Sequence, residues 1–120
     1  MIISSNIAEK NHHNGIYVAT GGSATDVSKN IIVSANIVKN TQAGGGIQVG
    51  SASQDIILSN NRAYDDQGTK TQTYGIITDA TTKNIFIKGN KVAGNLTGGM
   101  SIAGTGHNVE IEVTEFGAKG

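Results

Sequence analysis

Three aspartates have a spacing in this sequence that could support acid–base chemistry. Asp65 and Asp66 are adjacent, and Asp79 follows in the next strand-like unit. Paired carboxylates can act as acid and base, and carboxylate oxygens are ligands that Ca²⁺ prefers. A solvated turn is the competing interpretation, because the pair lies well before the next strand-like segment. The candidate catalytic residues are therefore Asp65, Asp66 and Asp79. No cofactor is expected, and no further ligand pattern supports Ca²⁺.

The remaining side chains of catalytic type are scattered. His12 and His13 are adjacent in a turn, where neighbouring side chains tend to point apart, so no metal pair is expected. His107 is expected to be exposed, and Arg62 is the single arginine. The chain has no cysteine, which excludes disulfides and thiolate metal sites.

A sequence motif, here called the phrase, recurs along the chain. The strands that it predicts must position these candidates. The phrase reads Asn or Asp, aliphatic, any residue, aliphatic, two small or polar residues, and Asn. Complete copies occupy 30–36, 55–61 and 84–90, and partial copies occur at 1–6 and 108–111. The asparagine that ends a copy is termed the anchor, and the anchors are Asn6, Asn36, Asn61 and Asn90. Successive anchors lie 30, 25 and 29 residues apart, a period that indicates a repeat architecture.

Each period contains two further strand-like segments. A weaker segment with one apolar residue at its second position follows the anchor. A glycine-led alternating segment comes next, at 15–18, 46–49, 75–78 and 99–102. Alternation rich in Ile and Val is typical of half-buried strands. The sequence therefore predicts an all-β chain: a right-handed parallel β-helix, or solenoid, of about five short coils with three strands per coil.

The alternation also predicts which side chains fill the interior. The first inward row comprises Ile31, Val33, Ile56, Leu58, Ile85, Ile87, Val109 and Ile111. The second inward row comprises Ile16, Val18, Ile47, Val49, Ile76, Thr78, Met100 and Ile102. The anchors are expected at one corner, where Asn tolerates the left-handed backbone of a tight turn and stacked amides can form a hydrogen-bonded ladder.

Composition agrees with a turn-rich repeat protein. The 120 residues include 17 glycines and no proline, and 9 basic residues balance 9 acidic residues. A balanced charge does not favour a nucleic-acid partner, and no apolar stretch or signal peptide suggests a membrane partner. We expect one repeat domain at 1–113, and a tail or the start of a next segment at 114–120.

The phrase and its period resemble the parallel β-helix repeat of the pectin-lyase-like superfamily. That group holds pectate lyases, polygalacturonases, alginate epimerases and phage tailspikes. The resemblance covers residues 1–113, and the segment 113–120 is similar to one that opens many tailspike domains. It implies the β-helix fold, a polysaccharide partner and an extracellular or virion-associated location. It indicates less about activity, because one fold hosts many chemistries.

The resemblance also implies a place for the substrate. In that superfamily the groove runs along the glycine-led strand, between its flanking loops. The carbohydrate-binding residues that this transfer implies are Tyr17, Gln48, Tyr74, Asn14 and Ser101. Two longer loops, 19–26 and 65–73, fall on opposite sides of these strands and could wall a shallow groove.

The same comparison weakens the case for catalysis. Polygalacturonases resemble one another in acidic residues and a His directly before the glycine-led strand. The matching positions here are Asn14, Gly45, Tyr74 and Gly98, none of which supplies an acid or base. Pectate-lyase chemistry needs a basic residue in the groove, and Arg62 lies elsewhere. Asp79 is better placed, at the exit of a glycine-led strand, and could form a site with Asp65 or Asp66. Whether the chain is an enzyme stays open, with binding favoured.

An apolar stripe is predicted on the outside of the first strand of each period. It comprises Ile2, Ile32, Ile57 and Phe86. Contiguous exposed apolar surface usually marks an interface. We expect a contact with further copies of the chain, as in trimeric tailspikes, or with neighbouring domains of a longer chain.

Three functions are consistent with these features. The first is a carbohydrate-recognition module of a phage tailspike or a related extracellular polysaccharide-acting protein. The second is an active polysaccharide lyase or glycoside hydrolase that uses the loop carboxylates. The third is a purely structural stacking segment of a fibre or adhesin.

Overall fold

The computed structural model describes residues 1–19 and 28–110. Within these ranges the chain is all-β, since it consists of short strands joined by turns and contains no helix. The period-two alternation of Ile and Val explains this outcome, because each strand can bury one side and expose the other. The predicted all-β class with parallel strands is confirmed.

The described strands form three sheets, and all pairings within them are parallel. Sheet 1 has the order β1 (Ile2–Ser4), β4 (Lys29–Ser34), β7 (Gln54–Ser59), β10 (Lys83–Lys88) and β12 (Asn108–Val109). Sheet 2 has the order β2 (Ile7–Glu9), β5 (Ile37–Lys39) and β8 (Arg62–Tyr64). Sheet 3 has the order β3 (Ile16–Val18), β6 (Ile47–Val49), β9 (Tyr74–Thr78) and β11 (Gly98–Ile102).

The chain visits the three sheets in a fixed rotation. Strands β1, β2 and β3 enter sheets 1, 2 and 3, and the next two sets of three strands repeat this order. After β10 the visit to sheet 2 is reduced to a bridge between Lys91 and Arg62. Equivalent positions of the phrase lie side by side, since Ile31 pairs with Ile56 and Ile56 pairs with Ile85. The repeat in sequence is therefore a repeat in structure.

The predicted inward rows form one hydrophobic core. Its fully buried members include Val33, Ile47, Val49, Ile56, Leu58, Ile76, Ile85 and Ile87. A third row from the weaker segments is also buried, with Val38, Ala63 and Val92. Ile16 and Met100 are half-buried, and Ile102 is 36% exposed, because β3 and β11 are the outermost strands of sheet 3. Each fully buried Ile or Leu contributes about 2 kcal/mol of hydrophobic free energy to folding.

The anchors form the predicted amide ladder. The Nδ2 group of Asn36 donates to Oδ1 of Asn61 at 3.0 Å, and Nδ2 of Asn61 donates to Oδ1 of Asn90 at 2.9 Å. Asn6 donates to Asn36 in the same way. The backbone N–H of each donor residue bonds to the same oxygen, and the second amide hydrogen of Asn61 reaches the Val33 carbonyl. Because the amides of Asn36, Asn61 and Asn90 are buried and hydrogen-bonded, they contribute stability rather than a desolvation cost.

The left-handed backbone, however, belongs to the residue before each anchor. These preceding residues are Ser5 (φ 59°), Ala35 (φ 56°), Asn60 (φ 55°) and Gly89 (φ 69°), and none of the anchors has a positive φ. The prediction that the anchors themselves adopt this conformation is wrong. An anchor must aim its amide into the interior, so the chain reverses one position earlier, at a residue with a small or polar side chain.

A second buried polar network joins sheets 2 and 3. Gln72 is fully buried, and its Oε1 accepts hydrogen bonds from the backbone N–H and the hydroxyl of Thr41. Its Nε2 donates to Oδ1 of Asn95 at 2.7 Å and to the Tyr64 carbonyl. Asn95 in turn donates to two carbonyls from its Nδ2. This network satisfies backbone groups at the turns that lead into sheet 3.

Some predictions fall outside the described residues. These are the inward position of Ile111, the tail at 114–120, and nearly all of the loop predicted at 19–26, of which only Ala19 is described.

Candidate functional site

The outer face of sheet 3 carries a row of four side chains in register. Tyr17 pairs with Gln48, Gln48 with Ile77, and Ile77 with Ser101. Their neighbours Ile47, Val49 and Ile76 point inward and are fully buried, so alternation forces the row to face outward. Tyr17 is 54% exposed, and the other three are half-buried. Three of the five predicted binding residues therefore share one row: Tyr17, Gln48 and Ser101.

This face differs from the other two in charge. None of the residues in the four strands of sheet 3 is charged. The strands of sheet 1 contain Lys29, Asp55, Lys83 and Lys88, and those of sheet 2 contain Glu9, Lys39 and Arg62. The row on sheet 3 is therefore an apolar and hydrogen-bonding surface without its own ionic groups.

One carboxylate lies beside the row, at the carboxyl end of β9. Oδ2 of Asp79 accepts from the backbone N–H of Ser51 at 3.0 Å, and Oδ1 accepts from the backbone N–H and the hydroxyl of Thr81. Burial of this carboxyl would raise its pKa, but the hydrogen bonds from Thr81 and Ser51 outweigh burial and hold the pKa below 3.8. Asp79 is therefore ionised at neutral pH.

Gly50 lies between this carboxylate and Tyr17. A Cβ added at Gly50 would meet Oδ2 of Asp79 at 2.7 Å and the Tyr17 hydroxyl at 3.5 Å. The missing side chain thus makes room for both polar groups over the backbone of Gly50, which is itself buried. The sequence reasoning missed Gly50. The available signal was its place directly after β6, which matches the place of Asp79 directly after β9.

The other two predicted binding residues lie at the entry end of the strands. Oδ1 of Asn14 accepts from the backbone N–H of Gly45 at 3.1 Å, so this side chain holds a turn. Tyr74 is half-buried beside Gly98, where an added Cβ would lie 3.2 Å from the ring. The structure therefore places Asn14 and Tyr74 beside the row rather than in it.

Asp65 is a buried structural carboxylate. It is 2% exposed, and its oxygens accept from the backbone N–H groups of Gln67, Thr71 and Gln72. Burial would raise its pKa, but the bonds from Gln72, Thr71 and Gln67 outweigh burial and hold the pKa below 3.8. The interpretation of Asp65 as part of a solvated turn is wrong, because this side chain closes the loop around itself.

Asp66 points to the surface instead. Its Oδ1 accepts from Nδ2 of Asn40 at 2.8 Å, and its Oδ2 lies 3.8 Å from Nζ of Lys39. The bonds of Asp65 run to Gln72, before β9, whereas Asp79 follows β9. The five residues of β9 rise by about 16 Å. The three predicted catalytic carboxylates are therefore not gathered into one centre.

The histidines and Arg62 also have local partners. Nδ1 of His107 accepts from the backbone N–H of Ile85 at 3.0 Å, and Nε2 lies 2.7 Å from the Ala103 carbonyl, so this ring is held in place rather than free in solvent. The rings of His12 and His13 meet edge to face at 4.5 Å. The Arg62 guanidinium lies over the Tyr64 ring at 4.9 Å, on sheet 2 and away from the row. In residues 1–19 and 28–110, no group of three or more His, Cys, Asp and Glu could hold a metal ion.

The predicted apolar stripe lies in register on the outer face of sheet 1. Ile2 pairs with Ile32, Ile32 with Ile57, and Ile57 with Phe86. Ile2 is 68% exposed, and Ile57 and Phe86 are each 37% exposed. The stripe is one residue wide, because Ser34, Ser59 and Lys88 run beside it.

Comparison with family models, with curated proteins and with solved structures gave no match to this chain. None of the described residues belongs to a helix long and apolar enough to cross a membrane.

Proposed function

We propose that this chain is a right-handed parallel β-helix that binds a glycan along the outer face of sheet 3. The fixed rotation of the chain through three parallel sheets supports the β-helix, because one coil cannot bury its inward side chains unless others stack on it. The right hand follows from the strong preference of parallel crossover connections. The resemblance to the pectin-lyase-like superfamily points the same way.

The observation that carries the binding proposal is the row of Tyr17, Gln48, Ile77 and Ser101. An exposed aromatic ring can stack on the apolar face of a sugar, and a carboxamide and a hydroxyl can bond to sugar hydroxyls. The backbone under the row is regular and paired on both sides for Gln48 and Ile77. A rigid platform of this kind lowers the entropic cost of binding. With this partner we propose an extracellular or virion-associated location, as the resemblance implies.

The enzymatic alternative has weaker support in the geometry. The carboxylate of Asp65 accepts hydrogen bonds from the backbone of its own loop. Asp66 is adjacent to it in the chain and lies away from Asp79. Asp79 lies beside the row, and His107 is linked to its turn through the Thr82 hydroxyl, but the ring nitrogens of His107 already contact the Ile85 N–H and the Ala103 carbonyl. Among the described residues, the geometry therefore supports binding better than a lyase or hydrolase.

The experiment is a binding panel of immobilised neutral and acidic polysaccharides probed with the purified chain. Tyr17→Ala and Gln48→Ala should each lower affinity at least about tenfold, since each removes a contact worth about 1.4 kcal/mol or more. Tyr64→Ala is the matched control, because this tyrosine lies on sheet 2. Glycan binding that is equally sensitive to Tyr64→Ala would contradict the assignment to sheet 3. No affinity for any glycan would favour the stacking-segment alternative, and release of sugar products lost in Asp79→Asn would favour the enzyme.

A further inference from the structure

We infer that the ligand of the sheet 3 row is a neutral glycan, held beside the row at the carboxyl ends of β3, β6 and β9 by Tyr17, Gly50 and Asp79, and not a polyuronate. This inference rests on the proposed function and adds the class of substrate. It is drawn from the charge of the face and from the unused capacity of one carboxylate.

Charge excludes a polymer with a carboxylate on every sugar. Such a chain would need cations along its path to offset desolvation and mutual repulsion. The strands of sheet 3 supply none, and the charged group that meets the row is the ionised Asp79. The next basic residue along the chain, Lys83, begins β10 and belongs to sheet 1. Within the strands of sheet 3 that the structure describes, a uronate would therefore meet a like charge without a compensating one.

Asp79 retains room for a sugar hydroxyl. A carboxylate offers about four acceptor positions. Among the described residues three donors occupy them: Ser51 through its N–H, and Thr81 through its N–H and its hydroxyl. Only one of these donors reaches Oδ2. The same oxygen lies over Gly50, which has no side chain of its own to cover it, and Asp79 is half-buried rather than buried. An incoming hydroxyl can therefore donate to a fixed, charged acceptor, which makes a strong hydrogen bond.

Tyr17 supplies the second half of this subsite. Its ring is 54% exposed, and its hydroxyl reaches the space above Gly50 that the Asp79 carboxylate also borders. A pyranose ring stacked on Tyr17 would thus present its edge hydroxyls to Asp79. Neutral sugars fit this pairing because they carry hydroxyl donors at the ring edge and no charge that Asp79 would repel.

The test compares laminarin, dextran and mannan with polygalacturonate and alginate as immobilised ligands, at constant ionic strength. We expect binding to at least one neutral polymer and at least about tenfold weaker binding to both polyuronates. Asp79→Asn should lower neutral-glycan affinity about tenfold, the equivalent of one charged hydrogen bond, and should raise binding to polyuronates. These opposite changes separate a charge effect from a general loss of structure, which would lower both.

Two further variants test the contribution of the Tyr17 ring and serve as a charge control. Tyr17→Phe keeps the ring and removes the hydroxyl, so it should retain more affinity than Tyr17→Ala. Lys83→Gln should leave neutral-glycan binding unchanged. Preference for a polyuronate would overturn the inference and leave the proposed function standing. No binding to any polymer would overturn both.

Discussion

At the scale of single residues, the two adjacent aspartates show why sequence could not assign their roles. Asp65 and Asp66 look equivalent in the chain, yet one is buried and the other has a side chain that is 57% exposed. The difference depends on Thr71 and Gln72, whose backbone N–H groups return to Asp65 only after the loop has closed. No local pattern encodes that return. The exposed Tyr17, by contrast, could be predicted from strand alternation alone.

Substitution should separate the two aspartates. Asp65→Asn replaces a buried carboxylate acceptor by an amide whose NH₂ faces backbone donors. We expect it to lower the free energy of unfolding by about 2–4 kcal/mol. Asp66→Asn keeps the Oδ1 acceptor and loses only an exposed ion pair, so it should cost less than about 1 kcal/mol. Urea unfolding at neutral pH measures both, and equal effects would contradict the structural role of Asp65.

The lowered pKa values of Asp65 and Asp79 predict an acid-dependent stability. Both carboxyls titrate at a lower pH in the folded chain than in the unfolded chain, so the unfolded chain takes up protons first. Their contribution is fully present well above pH 3.8 and is lost as the pH falls through the folded pKa values. The free energy of unfolding, measured by urea at pH 7 down to pH 2, should fall on the acidic side. Asp65→Asn should flatten this slope, and a slope that it leaves unchanged would contradict the prediction.

At the scale of elements, the phrase specifies register more reliably than backbone conformation. Spacing alone predicted that the anchors stack, and the amide ladder confirms it. Spacing could not show that the left-handed turn lies one residue earlier, because Ser, Ala, Asn and Gly all occupy that place. Asn30, Asp55 and Asn84, which open the phrase, also have positive φ values of 59°, 56° and 55°. Within the phrase, it is therefore the opening Asn or Asp, rather than the anchor, that adopts the left-handed backbone conformation these residues tolerate.

Two adjacent asparagines in the turn between β7 and β8 allow a matched test of the ladder. Asn61→Ala removes the acceptor for Asn36 and the donor to Val33, which leaves buried polar groups unpaired. We expect a loss of about 3 kcal/mol in the free energy of unfolding. Asn60→Gly changes an exposed residue with φ 55°, which glycine adopts freely, and should shift stability by no more than about 0.5 kcal/mol. Thermal and urea unfolding of both variants would decide, and a larger effect at position 60 would contradict the ladder's role.

At the scale of the whole molecule, periodic features were predictable and single features were not. The inward rows recur in every copy of the phrase, so the core could be predicted from the sequence. The network of Thr41, Gln72 and Asn95 occurs once, and its members belong to no repeated phrase. Likewise the role proposed for Gly50 depends on its neighbours Asp79 and Tyr17, which lie in other copies of the repeat. A repeat sequence therefore predicts the strands and the core, whereas the candidate site depends on residues that differ from one copy of the repeat to the next.

The apolar stripe on sheet 1 predicts that copies of the chain assemble in solution. If Ile57 and Phe86 pack against further copies of the chain, the protein in solution should have about three times the 12.3 kDa mass of one chain. Ile57→Lys combined with Phe86→Lys places two charges in that contact and should yield a species of single-chain mass, because burying unpaired ammonium groups is costly. Leu96→Lys is the control, since Leu96 is 56% exposed but lies outside sheet 1, and it should leave the mass unchanged. Light scattering on a sizing column measures all three proteins. A wild-type chain of single-chain mass would show that the stripe is tolerated surface or the contact of another domain, and the proposed glycan site would then lie within one chain rather than between several.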